Sequence, residues 1–365
     1  MLLLATVAAK TVNLEKERVN LLRPGRLMER PLLKIVLTVL MIFGLSFTIH
    51  AASAPTRVVI AFAAMNARTA PLWAAQDQGF FTKNGIDAVT IFVSGAPILL
   101  TGMTSGDIHV GYTGGTAVLG AAVGGADLKI LVSFTNRVTY DLVARQGTKS
   151  PEDLRGKSIG VVSIGGTNWM GTILGLERLG LEPSRDNINL RVIGDDSVRV
   201  QALVAGTIDA TAIDGVYSRR LHEREFPILA EFSKLNLPII STGVVARKTY
   251  IEKQLPAVEN VLKALLEGNA FVLAPANKSS TLKIIQRHLK VSDREAEEGY
   301  KDMAIGLERR PFPTADGLRN AQRLMKLRNP KVETVRVEDL IDDRILRRLD
   351  EGGFIDRLYI PAGAK

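Results

Sequence analysis

Two stretches of the chain, SGDIHVGYTGG at 105–115 and AGTIDATAIDG at 205–215, share one pattern at an offset of 100 residues. In each stretch a glycine ends a helical segment, and an apolar run suited to a buried strand begins at once. The matched pairs are Gly106 with Gly206, Ile108 with Ile208 and Gly115 with Gly215. Similarity at this distance indicates two copies of one structural unit.

The hydrophobic periodicity on either side extends this correspondence. The first copy predicts strands at 58–63, 88–93 and 108–112 with helices at 70–84 and 97–105. The second copy predicts strands at 159–163, 188–193 and 208–213 with helices at 168–179 and 197–205. Strands separated by helices run parallel through right-handed crossovers. The predicted fold class is therefore α/β, with two βαβαβ lobes.

Two extended segments, TYDLVAR at 139–145 and STGVVAR at 241–247, are predicted to join the lobes as a two-strand hinge. The division that follows is lobe 1 at 55–144 plus 245–365, and lobe 2 at 145–244. The chain beyond Tyr250 is helical and amphipathic in pattern, and we expect these C-terminal helices to pack on lobe 1. Open parallel sheets bind ligands at the carboxyl ends of their strands, so a site is expected between the lobes.

Residues 1–54 are predicted to be a leader that contains a signal peptide, with an alternative start at Met28. An apolar run at 35–49 follows several basic residues and leads into the small residues at 51–54. The run is shorter than the roughly 20 residues of a membrane span, and it is typical of a signal peptide cleaved near Ala51 to Ala54. A membrane anchor is the alternative. The chain has no cysteine, so no lipid-modified cysteine forms, and the mature protein is predicted to be free in the periplasm.

The composition excludes several function classes. Without cysteine there is no disulfide, thiolate nucleophile or thiolate metal site, and the four histidines show no metal-ligand spacing. The formal charge of +9 comes from scattered basic residues, and aromatic residues make up only 5% of the chain, so no nucleic-acid surface is predicted. The sequence therefore predicts no catalytic residue, no cofactor and no metal.

Five phrases, taken in order, resemble one known family. They are PLWAAQDQGFFTKNGID at 71–87, the helix–glycine–strand phrase at 102–112, SPEDLRGKSIGV at 150–161, LVAGTIDA at 203–210 and EGGFIDRLY at 351–359. The family is the type II periplasmic solute-binding proteins of the nitrate, taurine, alkanesulfonate and thiamine-pyrimidine class. The resemblance implies a monomer that captures a small polar or anionic organic solute and delivers it to an ABC permease with its ATPase subunit. An enzyme or sensor on the same fold, of the thiamine-pyrimidine or menaquinone-pathway type, is the alternative.

In this family the ligand is held by loops after the strands and by helix N-termini. Carried over by position, these ligand contacts fall on Met65, Asn66, Ser94, Gly95, Gly114, Gly115, Thr116, Thr135, Asn136, Gly165, Gly166, Thr167, Asn168, Asp214 and Tyr217. Trp73 joins the set because an aromatic side chain near the start of the first helix can stack on a ring.

The residues themselves leave alternatives open. SIGGTN at 163–168 suits an anion, because glycines expose backbone N–H groups and the following helix presents its positive end. An ordinary turn capped by Thr167 or Asn168 gives the same pattern. Asp214 can face the cleft, where it would select a ligand with a hydrogen-bond donor, or cap the next helix. Trp73 can pack against its own sheet. Arg137 and Arg199 are candidate anion clamps that the sequence alone does not place in the site.

Overall fold

A computed structural model describes residues 54–326 and 328–360 of the chain. The predicted leader and its cleavage site lie outside these residues. In the part of the chain that is described, no helix is both long enough and apolar enough to cross a membrane.

The first sheet has five strands in the order β2-β1-β3-β10-β4. They are β1 (Thr56–Phe62), β2 (Ile86–Phe92), β3 (Val110–Thr113), β4 (Leu128–Arg137) and β10 (Pro238–Arg247). Strand β1 runs parallel to β2 and β3, whereas β10 is antiparallel to both β3 and β4. The central strand β3 is buried along its whole length, as expected for a strand covered by helices on both faces.

The second sheet repeats this plan in the order β7-β6-β8-β5-β9. Its strands are β5 (Asp141–Ala144), β6 (Ser158–Val161), β7 (Asn189–Val192), β8 (Ala210–Ile213) and β9 (Ile228–Glu231). Strand β6 is parallel to β7 and β8, and β5 is antiparallel to β8 and β9. The register repeats as well, since Ile60 pairs with Val110 and Ile159 pairs with Ala210. The predicted α/β fold class with two related lobes is confirmed.

The division of the chain into lobes stays a prediction, but strand pairing favours crossing points slightly earlier than 144/145 and 244/245. Strand β5 pairs only within the second sheet, and β10 pairs only within the first. We propose that the chain crosses at 138–140 and again at 236–238. These residues, together with the first residues of β10 up to Thr242, are called the crossing segments. Each crossing strand runs antiparallel to its new neighbours because it enters the sheet directly, without a helical crossover.

The helices cover both sheets. In chain order they are α1 (Ala70–Asp77), α2 (Phe80–Lys83), α3 (Ala96–Ser105), α4 (Thr116–Val123), α5 (Thr167–Arg178), α6 (Asp196–Val204), α7 (Gly215–His222), α8 (Lys248–Lys253), α9 (Leu255–Leu273), α10 (Lys278–Leu289), α11 (Asp293–Gly306), α12 (Ala315–Lys326), α13 (Arg344–Glu351) and α14 (Phe354–Leu358).

The C-terminal helices pack mainly on the first sheet, as predicted. Helix α9 lies along α1, α12 packs on β10, and α13 contacts β4. Helix α11 differs, because it contacts the turn Ala67–Thr69 beside the first sheet and also α7 of the second. Gly299 allows this close approach, since a Cβ there would meet both Ala67 and Val216. Helix α11 therefore spans the back of the two lobes.

The contact between α9 and α1 depends on Gly268. A Cβ at this position would overlap the carbonyl oxygen of Pro71 and press on Ala75. We expect Gly268→Ala to destabilise the fold by about 1–3 kcal/mol in urea denaturation, because two helix backbones must move apart. Ser279→Ala, on the exposed side of α10, is the matched control and should change stability by less than about 0.5 kcal/mol. Equal stability of the two variants would contradict this packing.

Candidate functional site

A cavity lies between the carboxyl ends of the two sheets. The loops that follow β1 and β3 and the start of α3 line it from one side. The loop after β6 and the starts of α5 and α6 line it from the other, and the crossing segments close its base. It encloses about 70 Å³, several times the roughly 10–15 Å³ that a cavity needs to hold one water molecule. The position is the one expected for a ligand of facing α/β lobes.

The wall of this cavity is mostly polar. Its lining residues are Ala63, Ala64, Met65, Asn66, Arg68, Thr69, Gly95, Ala96, Tyr112, Thr113, Gly114, Tyr140, Val162, Ser163, Gly166, Thr167, Asn168, Asp195, Asp196, Arg199, Ser241 and Thr242.

Arg68 lies where the first sheet meets the crossing segments, and only 5% of it is exposed. Its Nη1 donates to the hydroxyls of Thr139 at 2.9 Å and Ser241 at 3.3 Å. Its guanidinium carbon lies 4.4 Å from the centre of the Tyr140 ring, a cation–π contact. Burial lowers the pKa of Arg68, but Tyr140, Asp214 and Asp196 outweigh it, so the pKa is raised and the group stays charged.

A second buried arginine, Arg199, belongs to a network inside lobe 2. It forms an ion pair with Asp196 through Nη2, and its Nη1 donates to the carbonyl oxygen of Ala212 at 2.7 Å. Asn168 reinforces this network, because its Oδ1 accepts from Arg199 at 3.2 Å and from the N–H of Val162 at 3.1 Å. The charge of Arg199 is therefore balanced by a neighbouring carboxylate.

The lobes touch each other at the cavity. The Nδ2 of Asn66 donates to Asp196 Oδ2 at 3.4 Å, and the hydroxyls of Thr116 and Thr167 lie 3.3 Å apart. Away from the cavity, Arg323 of α12 makes a bidentate contact with Glu177 of α5 at 3.0 and 2.6 Å. The two lobes are therefore in direct contact both at the cavity and away from it.

The structure brings together seven of the sixteen residues that the sequence placed in the site. They are Met65, Asn66, Gly95, Gly114, Gly166, Thr167 and Asn168. The polar atoms of Asn168 are already bonded within lobe 2. The helix cap expected from Thr167 or Asn168 is not formed, since α5 begins after Gly166 without a side-chain cap. These seven positions remain a proposal for ligand contact.

The other nine predicted residues do not line the cavity. Trp73 is 1% exposed and stacks on His288 with ring centres 4.5 Å apart. Asn136 donates to the carbonyl oxygen of Phe312. The rest occupy neighbouring turns, helix starts or buried positions, namely Ser94, Gly115, Thr116, Thr135, Gly165, Asp214 and Tyr217. Most of them precede or follow a lining residue by one or two positions, because successive side chains in a loop point in different directions.

Asp214 has two contacts that explain its place behind the cavity. It caps α7, accepting from the N–H of Val216 at 3.4 Å, and its Oδ2 lies 4.0 Å from Arg68 Nε. Burial raises the pKa of Asp214 to about 6, against the opposing effect of Arg68. The capping alternative is therefore the one that the structure adopts.

Sequence reasoning missed several lining residues, including Arg68, Tyr112, Tyr140, Asp196 and Ser241. A signal was present for three of them. Arg68 follows Asn66 in the loop after β1, and Tyr140 and Ser241 lie within the two crossing segments. For Asp196 the sequence indicated only the start of a helix.

Four lining side chains carry a buried polar atom without a hydrogen-bond partner among the described residues. These atoms are Asn66 Oδ1, Arg68 Nε, Thr113 Oγ1 and Arg199 Nε. Each of these residues is at least 95% buried. Buried polar groups are nearly always paired, so unpaired ones that line a cavity indicate the place of a ligand.

A group of three acidic residues lies behind the cavity, between α7 and α11. Asp302 of α11 presses against Gly215, next to Asp214, so that a Cβ at Gly215 would overlap its carboxylate. Asp141 of β5 accepts from Ser218 at 2.5 Å and lies 3.5 Å from Arg219. Burial raises the pKa of Asp302 to about 7, and the nearby Asp214 and Asp141 raise it further. Arg219 acts in the opposite direction, so the group carries more potential negative charge than local cations balance.

This cluster predicts a pH dependence of stability. Because the folded pKa of Asp302 is higher than its unfolded value, its contribution to stability is lost as the pH rises toward and through about 7. Asp302→Asn cannot ionise. Its stability relative to the wild type in urea denaturation should therefore increase by about 2–3 kcal/mol between pH 5 and pH 8. Asp87→Asn, at an exposed position of β2, is the control. A gain that is the same at both pH values would contradict the burial of an ionisable Asp302.

Comparison with known proteins places the chain in a family. The family model described as NMT1/THI5 like matches residues 66–278, more than half of the chain. The chain belongs to the NMT1/THI5-like family, so the resemblance stated from the sequence is confirmed.

Curated proteins of known sequence are similar to this chain at low identity. Proteins of Brucella abortus and Brucella suis that carry the description of a binding protein are 27% identical over 237 residues. The match covers 62% of this chain and 70% of each relative.

Solved structures share the fold at low identity. The alkanesulfonate-binding protein SsuA of Xanthomonas axonopodis, solved with MOPS bound, has a TM-score of 0.66 and 18% identity, covering 80% of this chain and 99% of that one. The periplasmic nitrate-binding protein NrtA of Synechocystis has a TM-score of 0.67 and 14% identity, covering 84% and 91%. The desulfurization enzyme DszB has a TM-score of 0.55 and 14% identity, covering 82% and 99%. The fold is that of periplasmic binding proteins, and it also occurs in an enzyme, so function has to be argued from the site.

Proposed function

We propose that this protein is the substrate-binding component of an ABC importer. It captures a small polar or anionic organic solute in the cavity between its lobes, in the periplasm, and delivers it to a membrane permease served by an ATPase. The observation that carries the proposal is the cavity itself, closed by both lobes and lined by buried polar atoms without partners. The alkanesulfonate- and nitrate-binding proteins that share the fold support this class of function.

The mechanism that we propose is a hinged clamp. A solute that contacts both lobes stabilises the closed form relative to the open one. The two crossings at 138–140 and 236–238 are short, so rotation about them can open the cavity while each sheet keeps its pairing. No bond chemistry is required, because capture and release depend on binding energy alone. We expect the protein to act as a monomer.

The lining residues favour binding over catalysis. No histidine is among them and the chain contains no cysteine, so no serine or threonine of this wall has a histidine beside it to act as general base. Asp195 caps α6, and Asp196 is paired with Arg199. An enzyme or a sensor on the same fold stays the alternative, and an enzyme would convert the captured solute.

A thermal-shift screen of the purified protein tests the receptor function. We expect one class among sulfonates, nitrate, carboxylates, aromatic acids and pyrimidines to raise the melting temperature. A solute present at 100 times its dissociation constant adds about 2.7 kcal/mol to the stability of the folded state. The solute should be recovered unchanged from the complex. A chemically altered product would favour the enzyme, and no shift across the panel would contradict the proposal.

Gly114 provides a test of the clamp. A side chain at this position in lobe 1 would overlap Thr167 of lobe 2 across the closed cavity. We expect Gly114→Ala to fold normally, to show a larger radius of gyration in small-angle scattering, and to bind solute about tenfold more weakly, because the closed form is less populated. Adding Thr167→Gly removes the clashing side-chain atoms and should restore the radius of gyration of the wild type. A Gly114→Ala protein that closes and binds like the wild type would argue against the clamp.

A further inference from the structure

We propose that the solute is a small organic acid that also carries a hydroxyl or amino group. Its acid group binds Arg68, and its hydrogen-bond donor faces Asn66 and Asp196. This inference rests on the proposed function, because it assigns the chemistry of the same cavity.

The two arginines of the cavity wall differ in their carboxylate partners. Arg199 has a carboxylate partner, Asp196, in direct contact. Arg68 has none at that distance, since its nearest carboxylate oxygen, on Asp214, lies 4.0 Å away and its bonded partners are neutral hydroxyls. A buried guanidinium without a carboxylate in hydrogen-bonding contact can bind an added anion. The acid group of the solute therefore belongs at Arg68.

The surroundings of Arg68 hold it ready for this role. The hydroxyls of Thr139 and Ser241 fix Nη1, and the Tyr140 ring supports one face of the guanidinium. The Thr113 hydroxyl on the same wall has no hydrogen-bond partner among the described residues. It can donate to an anion bound beside Arg68, whereas Nε faces Asp214 at 4.0 Å. Because Thr139, Tyr140 and Ser241 belong to the crossing segments, an anion bound here lies at the hinge of the clamp.

The chemistry at Asn66 is opposite to that at Arg68. Its Nδ2 donates to Asp196, which orients the amide and leaves Oδ1 as an unpaired buried acceptor. Asp196 also lines the cavity, with only acceptor atoms to offer. Two acceptors side by side require a donor on the ligand. A plain oxoanion has no donor and would leave Asn66 Oδ1 buried and unpaired.

The volume of the cavity limits the size of the solute. The closed cavity encloses about 70 Å³, several times the roughly 10–15 Å³ that a cavity needs to hold one water molecule. A small solute is therefore favoured. A larger solute is compatible if its remainder extends toward the mouth of the cavity, where Ser163 and Asp195 are only partly buried.

Isothermal titration of the full chain with matched probes tests the inference. The first set is lactate, alanine, propionate and lactamide, and the second is mandelate, phenylglycine, phenylacetate and mandelamide. In at least one set we expect the hydroxy or amino acid to bind about tenfold tighter than both the acid without a donor and the neutral amide. Arg68→Gln should weaken that binding at least about tenfold. Thr113→Val, which keeps the side-chain volume, should weaken it several-fold even if Arg68→Gln does not fold, and Thr101→Val on the exposed side of α3 should not.

The remaining outcomes separate the two proposals. If the neutral amide binds as well as the acid and neither Arg68→Gln nor Thr113→Val changes the affinity, Arg68 is not the anchor, although the receptor function stands. If the acid without a donor binds as tightly as the hydroxy and amino acids, the role of Asn66 and Asp196 is wrong. If all eight probes fail while another solute class binds, the inference is overturned and the receptor function again stands. If no solute of any class binds, the proposed function fails and the inference fails with it.

Discussion

Each lobe is completed by a strand that the chain delivers from the other lobe. After β4 the chain leaves the first sheet, and its next strand, β5, inserts between β8 and β9 of the second sheet. After β9 the chain returns, and β10 inserts between β3 and β4 of the first sheet. Both inserted strands are interior strands with long buried runs, so neither sheet can form its core without the crossing. This reciprocal insertion fixes the lobes side by side, with the carboxyl ends of their parallel strands facing a common space.

The site follows from that constraint. Arg68 comes from the turn after β1, but its hydrogen-bond partners and its stacking partner come from the two crossing segments. Asn66 and Asp196 come from opposite lobes and meet only when the lobes are closed. Solute chemistry and lobe position are therefore coupled through the same few residues. Helix α11 carries Asp302, which adds a third carboxyl group behind this point, next to Asp214.

The sequence predicted the parts of this arrangement that are local. The repeated glycine and strand pattern at 105–115 and 205–215 corresponds to β3 and β8, and the predicted cleft is where the cavity lies. Strands β4 and β9 were missed, because their runs do not belong to the repeated pattern. Seven of the predicted site positions line the cavity, since they lie in the loops and helix starts that follow strands.

The sequence did not identify Arg68 as a site residue. Its hydrogen-bond partners in the cavity wall lie 71 and 173 positions away in the chain. Asp196 illustrates the same limit. From the sequence it begins a helix, and only the folded chain shows it facing Asn66 of the other lobe. Trp73 shows the converse, because its position suited ligand stacking while its actual partner, His288, comes from a distant helix. Contacts between distant segments were the information that local patterns lacked.

The most direct test of the account is a distance between the lobes, measured with and without solute. The chain has no cysteine, so Thr104→Cys on α3 and Gln201→Cys on α6 provide two unique exposed sites for spin labels. The hinged clamp predicts a broad or two-component distribution of label distances without solute and a single short distance at saturation. A distribution that does not change when a bound solute saturates the protein would contradict the hinged clamp.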